Sequence, residues 1–132
     1  YKNKIQNIIY FNLKMLYQKM LEKKDDTLRC KVIFLGEKNC GKTSIIHRCK
    51  GTIGAGFISK KIFFEDEKQS IIFDNWDMPS QKIFRTLNKI FYESADVFVL
   101  VYDISKKSSF DELKNFWIKD IKENAQPNVS KK

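Results

Sequence analysis

With 132 residues and 25 Lys and Arg against 16 Asp and Glu, the chain carries a formal charge of +9, and its size suits one domain with a real core. No apolar run reaches membrane-spanning length and there is no secretory h-region, so neither a spanning helix nor a leader peptide is expected. The cysteines Cys30, Cys40 and Cys49 are odd in number and lack C-x-x-C spacing, which points to a reducing, cytoplasmic setting and away from a disulfide framework.

The positive excess is spread along the chain, without a tight run or an aromatic-interleaved basic stripe, and reads as a solvated surface. No nucleic-acid partner is expected; an anionic membrane surface or an acidic protein stays open. The chain opens on Tyr1, so it need not be the complete product. Residues 1–26 are expected to form an amphipathic basic helix and a linker. Ile5, Ile8, Ile9, Leu13, Leu16, Met20 and Leu21 recur at three- and four-residue steps, with lysines mainly between them. Such a helix either packs on its own domain or docks a partner protein or an anionic membrane surface. Asp25-Asp26 breaks the pattern.

Residues 27–132 read as the folded domain. Arg29 to Leu35 predicts a first strand, and Gly36-Glu37-Lys38-Asn39-Cys40-Gly41-Lys42-Thr43-Ser44 follows it with G-x-x-x-x-G-K-[ST] spacing. A helix begins at this point and runs to about Lys50, with Gly51 as its stop. The spacing has a mechanical meaning. Gly36 and Gly41 permit torsions that turn successive N–H groups of Lys38, Asn39, Cys40, Gly41 and Ser44 around a phosphate. Lys42 reaches the outer phosphates as a point charge, and the Thr43 hydroxyl suits Mg²⁺. A glycine-bearing strand-to-helix turn matching by chance is the plain alternative.

Gly56 to Glu65 and Ser70 to Trp76 predict a hairpin linked by Asp66-Glu67-Lys68-Gln69. Gln81 to Tyr92 predicts a short helix with Ile83, Phe84, Leu87, Ile90 and Phe91 inward. Val97 to Tyr102 is apolar on both faces, as a central parallel strand is. It is the last strand of this reading, so its outer edge is expected to be covered by further chain outside this sequence or by a partner subunit. Ser108-Ser109 is expected to cap a helix carrying Phe110, Leu113, Phe116, Trp117 and Ile121, and Ala125 to Lys132 reads as a tail. Strands alternating with helices around one hairpin give a three-layer α/β domain, otherwise parallel, with the ligand at the strand ends.

From about Leu28 to Ile121 the chain resembles the small GTPases, and among them the Rab branch. Beyond the phosphate loop, Thr52-Ile53-Gly54-Ala55-Gly56-Phe57 looks like the Rab switch I ending. Trp76-Asp77-Met78-Pro79-Ser80-Gln81 stands where the family has W-D-T-A-G-Q. Phe91 to Asp96 leading into Val99 to Ile104 is similar to the Rab fourth strand, and Ser109-Phe110 opens the next helix. The resemblance implies a GTP/GDP switch with Mg²⁺, effector proteins as partners, and trafficking work at cytoplasmic membrane surfaces. It puts Thr43, Thr52 and Asp77 around Mg²⁺, Asp77 through water, and makes Gln81 the residue that orients the attacking water.

The departures matter as much. Ser80 stands at the D-x-x-G glycine and cannot adopt glycine's torsions as freely, and Pro79 stiffens the turn. Lys38 replaces a small residue and crowds Gln81. Together they imply binding with slow or absent hydrolysis. A helix from Gly41 to Lys50 is about 15 Å long, while Lys50 to Thr52 spans roughly 7 Å, so Thr52 cannot return to the helix start. Either a switch I arm is missing from the chain, the favoured reading, or switch I is shortened and Thr52 is no ligand. The base-reading N-K-x-D and S-A-K motifs do not occur, no cysteine lies near the end for prenylation, and His47 reads as packing or surface. A degenerate G domain acting as an adaptor subunit, attached by its N-terminal helix, is the alternative function.

Overall fold

A computed structural model describes residues 6–11, 21, 27–48, 51–54, 56–65 and 68–125, with the backbone alone for 6–11 and 52–54. Its strands are β1 (Gln6–Phe11), β2 (Thr27–Leu35), β3 (Thr52–Gly54), β4 (Phe57–Phe64), β5 (Gln69–Asp77) and β6 (Val97–Asp103). They form one sheet in the order β1-β6-β2-β5-β4-β3. β2 lies at its centre, parallel to β5 on one side and to β6 on the other. The β4–β5 pair is the expected antiparallel hairpin. Two antiparallel edges were not expected: β3 beside β4, and β1 beside β6. The sheet is therefore mixed, and among the described strands the parallel pairings are those of β2 with β5 and with β6.

Alternation along the strands assigns side chains to two faces. Leu28, Cys30, Val32 and Phe34 of β2 meet Ile71 of β5 and Val97, Val99 and Val101 of β6 on one face. Ile46 of α1 (Lys42–Arg48) covers them. On the other face Ile33, Leu35, Phe98 and Leu100 meet Tyr92, Leu113, Trp117 and Ile121. These last belong to α2 (Arg85–Tyr92), entered through a 3₁₀ turn at Lys82–Phe84, and to α3. α3 is α-helical over Lys107–Glu112, π-helical over Leu113–Trp117 and α-helical again over Ile118–Asn124. Helix, sheet and helices make the three layers. Tyr92 ties α2 to α3 by donating to Asp120 Oδ2 at 2.7 Å. Burial, then that carboxylate, pushes the phenol well above its ordinary range and keeps it a neutral donor.

Three expectations are corrected. The first is the N-terminal helix, because residues 6–11 are a strand. Ile8-Ile9-Tyr10-Phe11 is a contiguous β-branched and aromatic run, which suits a pleated ladder as well as a helix stripe. The apolar edge of β6 supplies a partner, so pairing decides. The expectation that chain outside this sequence or a partner subunit covers β6 falls with it, because the strand beside β6 is this chain's own β1. Leu21 is helical; the rest of the expected helix, the Asp25-Asp26 linker and the tail from 126 lie outside the described residues.

The second correction concerns α2 and its entry turn: of the residues expected inward, Phe91 packs against the core, while Ile83, Phe84, Leu87 and Ile90 face outward. Ile83, Leu87 and Ile90 are 77%, 52% and 70% exposed, while Arg85, Asn88 and Tyr92 are buried. Spacing fixes that one face is apolar, not which face meets the core. The polar face goes inward because its donors are paired, Arg85 with two carboxylates and Asn88 Nδ2 with Pro79 O at 3.1 Å, although Asn88 Oδ1 is buried without a partner among the described residues. The third is the α3 start. Lys106 holds the cap position without a side-chain cap. Ser109 Oγ accepts from Asp103 N at 3.0 Å and donates to Lys106 O at 2.8 Å, binding strand end to first turn.

Where β2 ends, Gly36 (φ +146°) turns the chain across β6, and a Cβ there would stand 2.1 Å from the carbonyl oxygen of Val101. Gly36→Ala should lower stability by about 2 kcal/mol or more, from strain and overpacking together. A denaturation midpoint close to wild type would contradict that contact. The β1 pairing makes a second prediction. Alternate amides of β6 between Phe98 and Asp103 should exchange slowly in the whole chain and quickly once residues 1–11 are deleted, as read by hydrogen exchange.

Candidate functional site

The loop between β2 and α1 takes its shape from positive torsions at Gly36, Asn39 (φ 64°) and Gly41 (φ 98°). The helix opens cleanly behind it, with Ile45 N donating to Gly41 O at 3.0 Å. Lys42 is buried, and its ammonium donates back to Gly36 O at 2.8 Å and Glu37 O at 3.0 Å. A buried cation needs such partners, and these carbonyls fix its head beneath the loop. Burial pushes the Cys40 thiol up while the Lys42 ammonium pulls it down; the net shift is upward, so the group stays a thiol.

β5 delivers the second half of the site. Its last residue, Asp77, accepts a short hydrogen bond from the Thr43 hydroxyl. Met78 N donates to Phe34 O at 3.3 Å, which pins the strand end against β2. Beyond it Pro79 and Ser80 turn toward α2, with Ser80 O accepting from Arg85 Nε at 3.4 Å. Gln81 precedes the 3₁₀ turn, and its carbonyl accepts from Phe84 N at 2.9 Å.

Loop and turn enclose a cavity of about 350 Å³ that gathers Lys38, Asn39, Lys42, Thr43, Asp77 and Gln81, with Ser80 on its wall. That volume lies in the range of small-ligand clefts. The charged groups on its wall are Lys38 and Lys42 against Asp77, a positive balance suited to a polyphosphate. Thr43 and Asp77 bring a hydroxyl and a carboxylate oxygen into contact, a hard-oxygen pair of the kind Mg²⁺ takes together with phosphate and water. The residues present therefore fit Mg²⁺ alongside a phosphate ligand.

The other candidates sit elsewhere. Cys40 is buried in the core and lines a neighbouring cavity of about 340 Å³ between the loop and α3. Gly41 contributes backbone at the helix start, and Ser44 is exposed on the first turn of α1. Thr52 opens β3 and faces Ser59 of β4, which faces Asp74 of β5. Two strand spacings and three residues of rise put its backbone roughly 14 Å from that of Asp77. The structure does not bring Thr52 beside Thr43 and Asp77.

Arg85, Glu37 and Glu112 escaped the sequence reading. Arg85 bridges Glu37 of the loop and Glu112 of α3, each at 2.7 Å. The one visible signal was an arginine on the polar side of an amphipathic helical stretch that also carries Lys82 and Lys89, and spacing alone reads such a residue as solvated.

Comparison with known proteins shows which family the chain is similar to. The family described as "Ras of Complex, Roc, domain of DAPkinase" matches residues 31–130. The dog Ras-related protein Rab-22A is 33% identical over 108 residues, 75% of this chain and 54% of that protein. Rab-32D of Dictyostelium discoideum is 40% identical over 106 residues, 74% and 45% respectively. The Ypt/Rab-type GTPase YPT7 of Saccharomyces cerevisiae is 39% identical over 95 residues, 65% and 45%. The chain spans about half the length of the curated relatives it matches. It belongs to the Roc/Ras-superfamily GTPase domains, with Rab proteins among its homologues.

Proposed function

We propose that the chain is the core of a Rab-like switch that binds GTP and GDP with Mg²⁺ and hydrolyses GTP slowly. The observation that carries this is the convergence of Lys42, Thr43 and Asp77 on one cavity under a glycine-bearing loop. Lys42 would meet the outer phosphates as a charge already held in place, and loop N–H groups would surround them. Thr43 and Asp77 would hold Mg²⁺, which when bound neutralises charge on the phosphate oxygens. Gln81 would position water for attack. Lys38 shares the cavity with Gln81, and Ser80 stands where a glycine would bend freely, which supports slow turnover.

The outward residues Ile83, Leu87 and Ile90 follow directly on Gln81 and offer an apolar face for effector proteins. Work at a cytoplasmic membrane surface is part of the same reading; among the described residues no helix is long and apolar enough to cross a membrane. The adaptor alternative relied on an N-terminal helix as its attachment. Residues 6–11 form a strand paired with β6, which removes part of that support.

Calorimetry with Mg²⁺ tests the reading. GTP and GDP should bind, ATP clearly more weakly, and Lys42→Ala should cost about 10- to 100-fold in affinity, as loss of a charge-assisted contact does. No guanine nucleotide binding sinks the switch, and equal ATP binding reduces it to a generic phosphate site. For turnover, replacing Lys38 and Ser80 together by glycine should speed single-turnover hydrolysis. A wild-type protein as fast as that double variant refutes the account of slow hydrolysis.

A further inference from the structure

Arg85 touches three segments that are far apart in sequence. Its Nη2 reaches Glu37 of the phosphate loop and its Nη1 reaches Glu112 of α3, both at 2.7 Å. Its Nε reaches Ser80 O in the turn at 3.4 Å. The guanidinium lies 4.1 Å from the ring centre of Phe116 and 4.9 Å from that of Trp117. Its side chain is only 10% exposed. We infer that Arg85 is a positioning residue which locks the Met78–Gln81 turn to the phosphate loop, so that the turn's contact with a bound polyphosphate is transmitted to α2. This rests on the nucleotide reading above.

The physics lies in the rigidity of the guanidinium. Its donors diverge in one plane, so Glu37, Glu112 and Ser80 O are held in fixed mutual directions. The stack on Phe116 and Trp117 fixes the plane itself, and the π-helical stretch that contains both rings presents them side by side. Ser80 and Gln81 line the ligand cavity. The turn therefore sits between a ligand on one side and Arg85 on the other. A turn drawn toward the terminal phosphate must displace Arg85 or carry it along. Arg85 opens α2, so Leu87 and Ile90, exposed on its outer side, would move with it.

A mere staple between α2 and α3 would predict loss of stability without a change in ligand preference. The two are separated by the ratio of GTP to GDP affinity, measured by calorimetry with Mg²⁺ on the whole chain and on Arg85→Ala, Arg85→Lys and Glu112→Gln. Glu112 does not line the cavity that holds Lys42 and Thr43. The ratio should fall by about 3- to 30-fold in Arg85→Ala and Glu112→Gln, with Arg85→Lys no better than partial rescue, since one ammonium cannot serve three directions. Where Arg85→Ala fails to fold, the other two variants carry the test. In a Trp76→Phe background, Trp117 fluorescence should also shift more with GTP than with GDP, and Glu112→Gln should abolish that difference. An unchanged ratio alongside lowered stability overturns the inference and leaves the nucleotide reading intact. A wild-type chain that binds neither nucleotide nor pyrophosphate overturns both.

Discussion

How closely the phosphate-loop backbone can approach β6 decides the shape of the ligand-facing rim. Parallel neighbours β2 and β6 end side by side, and the chain leaving β2 must cross the end of β6 to reach α1. At Gly36 the nearest obstacle is a backbone carbonyl, that of Val101, which cannot rotate away as a side chain could. Only a residue without a Cβ passes. Having passed, the loop turns the carbonyls of Gly36 and Glu37 inward, and these hold the Lys42 ammonium. A steric fact at one residue thereby sets the position of a buried charge six residues on.

The same logic runs through α2, where polarity is inverted relative to an ordinary surface helix. Burying Arg85 and Asn88 is tolerable because the partners wait on three sides, at Glu37, Glu112 and the carbonyls of Pro79 and Ser80. Breaking one such contact would leave the rest of a buried charge uncompensated, which costs more than the pair contributes. Outward apolar residues are the other side of that arrangement. They remain in water because the inner positions of the helix are already taken.

Elements whose signal is local were legible in the sequence. The phosphate loop has fixed spacing, the β4–β5 hairpin has its polar link, and β6 is too apolar to be anything but a covered strand. Thr43 and Asp77 were paired through the resemblance alone, and the structure brings them into contact. What failed depended on long-range choices. The face of α2 that turns inward is decided by Glu37 and Glu112, neither adjacent to it in sequence. The N-terminal run satisfied both helical and extended patterns, and the decision fell to the unpaired side of β6. Thr52 sits on a three-residue strand too short to leave a periodic trace.

The pairing of β1 with β6 also bears on how the chain reaches its native state. Gln6 faces Asp103, so the first described strand pairs with the last one. During synthesis β1 leaves the ribosome well before its partner exists, and it carries no charge to keep it soluble while it waits. Contacts of such sequence separation close slowly because the entropy of the intervening loop must be lost first. The core of β2, β5 and the hairpin can assemble earlier from nearer neighbours. Docking of β1 is then a late step, and the interval before it is when the chain is most exposed to chaperones and to aggregation.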